Sequence, residues 1–284
     1  MGNFNYEIKD YGAKYHQEKA PVVKAARAFK MIHKDKSKIV ILCCHGFTGY
    51  PGELARPAID LFESGFDVYV PRYPGHGTSG DDFSQTDGSM WLNTVLDCYD
   101  DIRKDYEKVY LVGHSMGGLI ASIVATRKKV ERVVLFAPAF TLKSPIWLAK
   151  LLRFFKKKTK TGWKRDLEYP FYYEGDETDD EVLGAQYWSY NYLKQVNELD
   201  KLRKKAIKEI RNMDSQVLTF LGDRDNAVSP EACRIVGRNN QGLTVSKFLD
   251  GASHLIPYDK CKETREEANK LCVEWFLKEK IEVE

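Results

Sequence analysis

A serine, a histidine and two closely spaced aspartates are the residues of this chain whose settings could do chemistry. Ser115 lies in Gly113-His114-Ser115-Met116-Gly117-Gly118, after the apolar run 109–112 and before the small-residue, apolar stretch 118–125. That order reads as strand, tight turn and helix, with the serine presented at the turn as a nucleophile. Gly113 and Gly117 remove side chains that would collide with neighbouring backbone. The turn also sets the Met116 amide at a helix N-terminus, aimed where negative charge develops on an attacked carbonyl oxygen. A serine hydroxyl is a poor nucleophile at neutral pH. It needs a base within hydrogen-bond reach and a third group to orient that base. His254 follows the expected buried strand 243–249 and offers the base, while Asp223 and Asp225 follow the expected buried strand 216–221 and offer the acid. Position alone leaves the choice between the two aspartates open.

Residues so far apart in the chain need a scaffold that ends its strands at one rim. The run 38–44 has the length and apolarity of a buried strand and stops at His45-Gly46. A helix is expected from about 52 to 64, opened by Pro51, and a strand over 66–70 before the turn-rich Pro71 to Gly77. Ser89 reads as an N-cap, with Trp91, Val95, Cys98 and Ile102 at helical spacing behind it. Residues 132–136 supply a further buried strand. Strands alternating with helices predict an α/β fold, a mainly parallel central sheet with helices on both faces and ligands beyond the strands' carboxyl ends. Residues 139–210 break the alternation and hold thirteen Phe, Tyr or Trp between Phe140 and Tyr192. The expected division is a core of 1–138 and 211–284 with an inserted helical cap over 139–210.

The composition excludes several other chemistries. The chain has 284 residues, 43% of them hydrophobic, and a net charge of +3, enough for a large core and too balanced to imply nucleic acid. Its six cysteines lack metal-ligand spacing and read as reduced, mostly buried thiols. No HExxH, CxxC pair, GxGxxG or phosphate loop is present, so neither a metal nor a nucleotide cofactor is expected. Met1 to Asp10 has no apolar core of a signal peptide and no stretch approaches the ~20 apolar residues of a membrane span, which points to the cytoplasm.

Taken in order, HGFTG from His45, a GHG loop at His76, GHSMGG around Ser115, GxxDxxVxP from Gly222 and a final Ser253-His254 resemble the α/β-hydrolase superfamily. More narrowly the chain is similar to the branch of small carboxylesterases and monoacylglycerol lipase-like enzymes, over roughly residues 38 to 278. The resemblance implies a Ser115–His254–Asp225 triad, because Gly222, Asp225, Val228 and Pro230 fit the motif as they stand. It also assigns the second oxyanion donor, beside the Met116 amide, to the backbone of Phe47. His45, His76 and, more weakly, His114 are then expected to hold turns rather than to act as bases. His16 and His33 lie in no motif and read as surface or strand residues.

The cap region bears on substrate and partners. Its aromatic residues predict an apolar pocket, lined in part by Trp147, Phe171, Trp188 or Tyr190, suited to an acyl chain or aromatic acyl group. The stretch 146–158 interleaves large apolar residues with cations. Two arrangements fit it: the apolar residues roof the pocket while the lysines are solvated, which is the expectation, or they make transient contact with a membrane surface. Residues 143–165 carry nine Lys or Arg and no acid, and 166–181 carry eight Asp or Glu and no base, a pairing that would repel nucleic acid. The expected partner is a small acyl ester, cleaved through an acyl-enzyme intermediate. A lysophospholipase, an aromatic-acyl esterase, a carbon–carbon hydrolase or peptidase, and a non-catalytic ligand sensor on the same scaffold are the alternatives, and the oligomeric state is left open.

Overall fold

In the computed structural model, which describes residues 4–144, 146–166 and 177–278, the apolar runs become the strands of one sheet. β1 (Phe29–Met31) and β2 (Ile39–Cys44) precede α1 (Ala55–Glu63), β3 (Asp67–Val70), α2 (Gly80–Gln85) and α3 (Gly88–Ile102). β4 (Lys108–His114), α4 (Met116–Lys128) and β5 (Arg132–Phe136) follow. Next come α5 (Ile146–Leu152), β6 (Lys158–Lys160), α6 (Glu177–Leu183), β7 (Tyr190–Tyr192) and α7 (Leu193–Glu209). The chain closes with β8 (Gln216–Gly222), α8 (Glu231–Asn239), β9 (Thr244–Leu249) and α9 (Lys262–Leu277).

The seven-stranded sheet has the order β1-β3-β2-β4-β5-β8-β9, antiparallel only where β1 meets β3. Its central strands are apolar on both faces because helices cover both. α1 packs with α9, and α4 with α3 and α7, giving the two helical layers. The register aligns Gly113 of β4 with Cys44 of β2 and Leu135 of β5, so the strand ends that carry His45 and Ser115 lie side by side.

Two local expectations are corrected. The helix expected over 52–64 is a 3₁₀ turn at Pro51–Leu54 followed by α1. Pro57 is the reason: it lacks the N–H that would bond the Glu53 carbonyl, so the α-helix begins only where Pro57 falls in its first turn. The cap of α3 is Asp87 rather than Ser89, with Asp87 Oδ1 accepting from the amides of Ser89 (2.9 Å) and Met90 (3.0 Å).

Beyond β5, β6 and β7 pair antiparallel as a two-stranded ribbon off the main sheet, and α7 returns along α3 and α4. Tyr187 ties this region to the loop Tyr73–Gly77: its hydroxyl donates to the Gly75 carbonyl (2.7 Å) and accepts from the Thr78 amide (2.8 Å). Cys43, Cys44, Cys98, Cys233 and Cys272 are buried, Cys261 is partly exposed, and all six are free thiols. Among the described residues no helix is long and apolar enough to cross a membrane.

Candidate active site

The turn from β4 into α4 is held in a conformation that only its glycines permit. Ser115 has φ 52° and ψ −114°, an unusual backbone for a side-chain-bearing residue. Its amide is anchored to the Phe136 carbonyl at 2.9 Å. A Cβ on Gly117 would sit 1.9 Å from the Cys44 carbonyl oxygen, and one on Gly113 2.5 Å from that of Gly117. Close packing of the turn against β2 therefore demands glycine at 117, and the close return of α4 over the end of β4 demands it at 113. α4 is buried from Met116 to Ala125, so its N-terminus is fixed beneath the serine.

Three side chains from three strand ends form one line. The Ser115 hydroxyl lies 2.9 Å from His254 Nε2, and His254 Nδ1 lies 2.8 Å from Asp225 Oδ2. An ionised carboxylate only accepts, so Nδ1 carries the proton and Nε2 is left to accept from the serine. The other oxygen of Asp225 accepts from the amides of Ala227 and Val228, both at 2.8 Å. Burial pushes the Asp225 pKa up, but the hydrogen bond and charge of His254 and the two amides outweigh it and hold the carboxyl below its ordinary value. Asp223, the other aspartate of the loop, does something else: its Oδ1 accepts from the Gly251 amide at 2.7 Å and braces the turn that carries His254.

The His45–Gly49 turn lies against the nucleophile, since a Cβ on Gly46 would be 3.5 Å from the Ser115 Cβ. His45 is fully buried and stacked on Tyr73. Its Nε2 accepts from the Tyr73 amide (3.3 Å), which leaves Nδ1–H to donate to the Gly46 carbonyl (3.1 Å). Burial and the nearby His76 depress its pKa well below the ordinary range, so it stays neutral and structural. His76 is likewise buried, among Tyr73, Phe83 and Trp91, with its pKa lowered by burial to about 3. Among the described residues neither the Phe47 nor the Met116 amide donates to a protein acceptor, and at the first position of α4 the Met116 N–H has none within the helix.

Glu53 was not singled out by sequence. Its carboxylate is buried and accepts from the Gly46 amide and, at 2.9 Å, from His114 Nδ1. His114 Nε2 faces the His254 carbonyl at 3.0 Å. Acceptors at both ring nitrogens favour the doubly protonated ring. Burial opposes that charge, but Glu53, by charge and hydrogen bond, and the His254 carbonyl raise the pKa. The one sequence signal was a lone carboxylate in the otherwise uncharged run 46–55. Nothing local told that it would be buried.

Ser115 and His254 open into a cavity of about 480 Å³. Trp188 and Tyr190 line it, as expected, together with Trp163 and Tyr187, which were not singled out. Trp188 also donates from Nε1 to the Thr48 carbonyl at 3.1 Å and so pins the turn that carries Phe47. Phe171 lies outside the described residues. Trp147 is a correction: it does not line the cavity and its side chain is 68% exposed. α5 buries none of its residues fully: it lies against α7, tied by the Lys150–Asp200 ion pair (2.6 Å), with Ile146, Ala149 and Leu152 half-buried. The expected roof of apolar residues from 146–158 is thus absent among the described residues.

Residues 35–260 match the family model described as Serine aminopeptidase, S33. A stretch of 109 residues is 30% identical to the thermostable monoacylglycerol lipase of Bacillus sp. (strain H-257), and spans 38% of this chain and only 42% of that protein. The carboxylesterase of Bacillus subtilis (strain 168) is 23% identical over 229 residues, 78% of this chain and 86% of the other. A solved structure of a soluble variant of monoglyceride lipase from Saccharomyces cerevisiae, in complex with a substrate analog, superposes with a TM-score of 0.71 at 19% identity, covering 99% of this chain and all of that one. At such identity the likeness speaks for the fold.

Proposed function

The chain belongs to the Serine aminopeptidase, S33 family and has the α/β-hydrolase fold, and on that premise we propose that it is a serine hydrolase of carboxylic esters, of carboxylesterase or monoacylglycerol lipase type. The observation that carries this reading is the unbroken line from Ser115 Oγ through His254 to Asp225, at 2.9 and 2.8 Å, opening into the cavity. That cavity is not the purely apolar pocket expected from the sequence: it is lined by aromatic residues and also by the charged Lys164, Arg165, Asp166 and Asp180. Ser115 Oγ attacks the ester carbonyl carbon as its proton passes to His254 Nε2, and Asp225 stabilises the resulting imidazolium. The Phe47 and Met116 amides receive the oxyanion, where each such donor is worth about 3 kcal/mol of barrier. Collapse of the tetrahedral intermediate expels the alkoxide, which takes the proton from His254. Water, deprotonated by the same nitrogen, then attacks the acyl-enzyme and releases the acid and the free serine.

A volume of about 480 Å³ suits a small-molecule ester. The Trp163 and Trp188 rings, 5.5 Å apart between centroids, favour an aromatic acyl group as the second reading. We take residues 139–210 as an inserted cap, because they supply Trp163, Tyr187, Trp188 and Tyr190 to the cavity. Six free thiols support a reducing compartment, the cytoplasm.

The test is hydrolysis of p-nitrophenyl esters of increasing chain length beside a monoacylglycerol and a lysophospholipid, by wild type and Ser115→Ala. Turnover by the wild type with a loss of about 10⁴-fold or more in the variant is expected. No turnover of any ester, with a fluorophosphonate probe failing to label Ser115, would replace this reading with that of a ligand sensor.

A further inference from the structure

The apolar residues that leave the pocket unroofed are gathered on the surface. Of the large hydrophobic side chains exposed among the described residues, Trp147, Leu148, Leu151, Phe154 and Phe155 fall within nine consecutive positions, with Phe154 74% and Phe155 79% exposed. A patch this concentrated on an otherwise well-covered molecule marks an interaction site. Its surroundings are cationic: Arg153, Lys156, Lys157 and Lys160 join it, and none has an ion pair with a described residue. The Arg153 guanidinium lies 4.9 Å from the Phe154 ring centroid, so the charge sits directly on the apolar surface.

We propose that this segment, residues 146–160, docks the protein on an anionic lipid surface, with the tips of Trp147, Phe154 and Phe155 entering the acyl boundary and the cations meeting head-group phosphates. Large apolar side chains ringed by Lys and Arg match that layered environment without any shaped pocket. A second copy of the chain fits poorly, since a two-fold contact would set each cationic rim against its twin. The patch also adjoins the cavity. Lys158 Nζ lies 3.9 Å from the centroid of Tyr190, a cavity residue, and β6 pairs with β7 there. Docking would hold the cavity wall beside the lipid.

The experiment is co-sedimentation of the full chain with vesicles of phosphatidylcholine alone or with about 30% phosphatidylglycerol, at about 50 mM and about 500 mM NaCl. Wild type is expected to bind the anionic vesicles at low salt, and at least about tenfold less at high salt or on neutral vesicles. Phe154→Glu/Phe155→Glu should lose binding at least about tenfold, through the lost apolar contact and the added negative charge, and Lys156→Gln/Lys157→Gln about tenfold through the lost positive charges. All four positions are exposed and outside the cavity, so both variants should keep the wild-type melting temperature. Ser115→Ala should bind like wild type, which separates docking from catalysis. The proposal is overturned if wild type binds neither vesicle, if either double variant binds like wild type, or if light scattering shows a dimer that Phe154→Glu/Phe155→Glu dissociates while vesicle binding is absent.

Discussion

Glu53 and His114 form a buried pair at 2.9 Å that joins three otherwise separate loops. Glu53 holds the Gly46 amide of the oxyanion turn, and His114, next to the nucleophile in sequence, holds the carbonyl of His254. Each connection is charge-assisted and shielded from water, where such hydrogen bonds are strongest.

Removing one partner should cost more than removing both. Glu53→Leu leaves His114 Nδ1 and the Gly46 amide buried without their acceptor and should destabilise the fold by about 3 to 5 kcal/mol. Glu53→Leu/His114→Leu removes the orphaned ring and should regain part of that, the Gly46 amide and the His254 carbonyl staying unpaired. Glu53→Gln keeps the shape without the charge and should lower kcat about tenfold, about 1.4 kcal/mol of barrier, with KM little changed. Urea denaturation and ester kinetics on the three variants check this. A double variant no more stable than Glu53→Leu would count against the pair.

The two aspartates of one loop should separate cleanly. Asp225→Asn frees the tautomer of His254 and should lower kcat by about 10⁴-fold. Asp223→Asn still offers an oxygen to the Gly251 amide and should change stability by about 0.5 kcal/mol or less, with kcat near wild type. Steady-state kinetics decide. Equal losses would mean that the acid has been misassigned.

Tyr187→Phe removes a hydroxyl that both donates and accepts between the aromatic region and the Gly75–Thr78 loop. The Thr78 amide is then buried without an acceptor, at a cost of about 1 to 3 kcal/mol. Chemical denaturation should register that loss.

Stability should fall away on both sides of neutrality for identifiable reasons. His45 and His76 have depressed folded-state pKa values, so their contribution is complete above the ordinary histidine pKa and is lost as pH falls below it. Asp225, also depressed, adds a loss at lower pH still, through its own folded-state value. His114 is raised, so its contribution is complete below the ordinary histidine pKa and is lost as pH rises through its folded value. Melting temperatures across pH should therefore show an alkaline decline that His114→Leu/Glu53→Leu lacks. An unchanged alkaline limb in that double variant would remove His114 as its cause.

Much of the scaffold was legible in the sequence because its signals are local. Gly113 and Gly117 flank Ser115 closely enough that a single turn explains both, and the central strands β2, β4 and β5 are largely apolar runs. β9, expected to be buried, is instead an edge strand with Ser246, Lys247 and Phe248 exposed. Asp225 and His254 were found through the strands that precede them. Pairing across the chain left no such trace: Glu53 and His114 are 61 residues apart, and burial alone turns Glu53 from a surface carboxylate into a connector. Trp147 failed for a related reason. Periodicity in a helix as short as α5 shows that one side is apolar without saying whether that side meets the core or solvent. The cap of α3 moved by two residues because Asp87 and Ser89 are both good capping types, and only the backbone angles choose between them.

The buried thiols give the molecule a clock. Cys43, Cys44, Cys98 and Cys272 belong to elements of the core, and burial raises their pKa values, that of Cys44 to about 12. A thiol-labelling reagent at neutral pH then meets Cys261 at once and the others only when their elements part. The labelling rate of each cysteine reports how often its own piece of the structure opens, with no substitution needed.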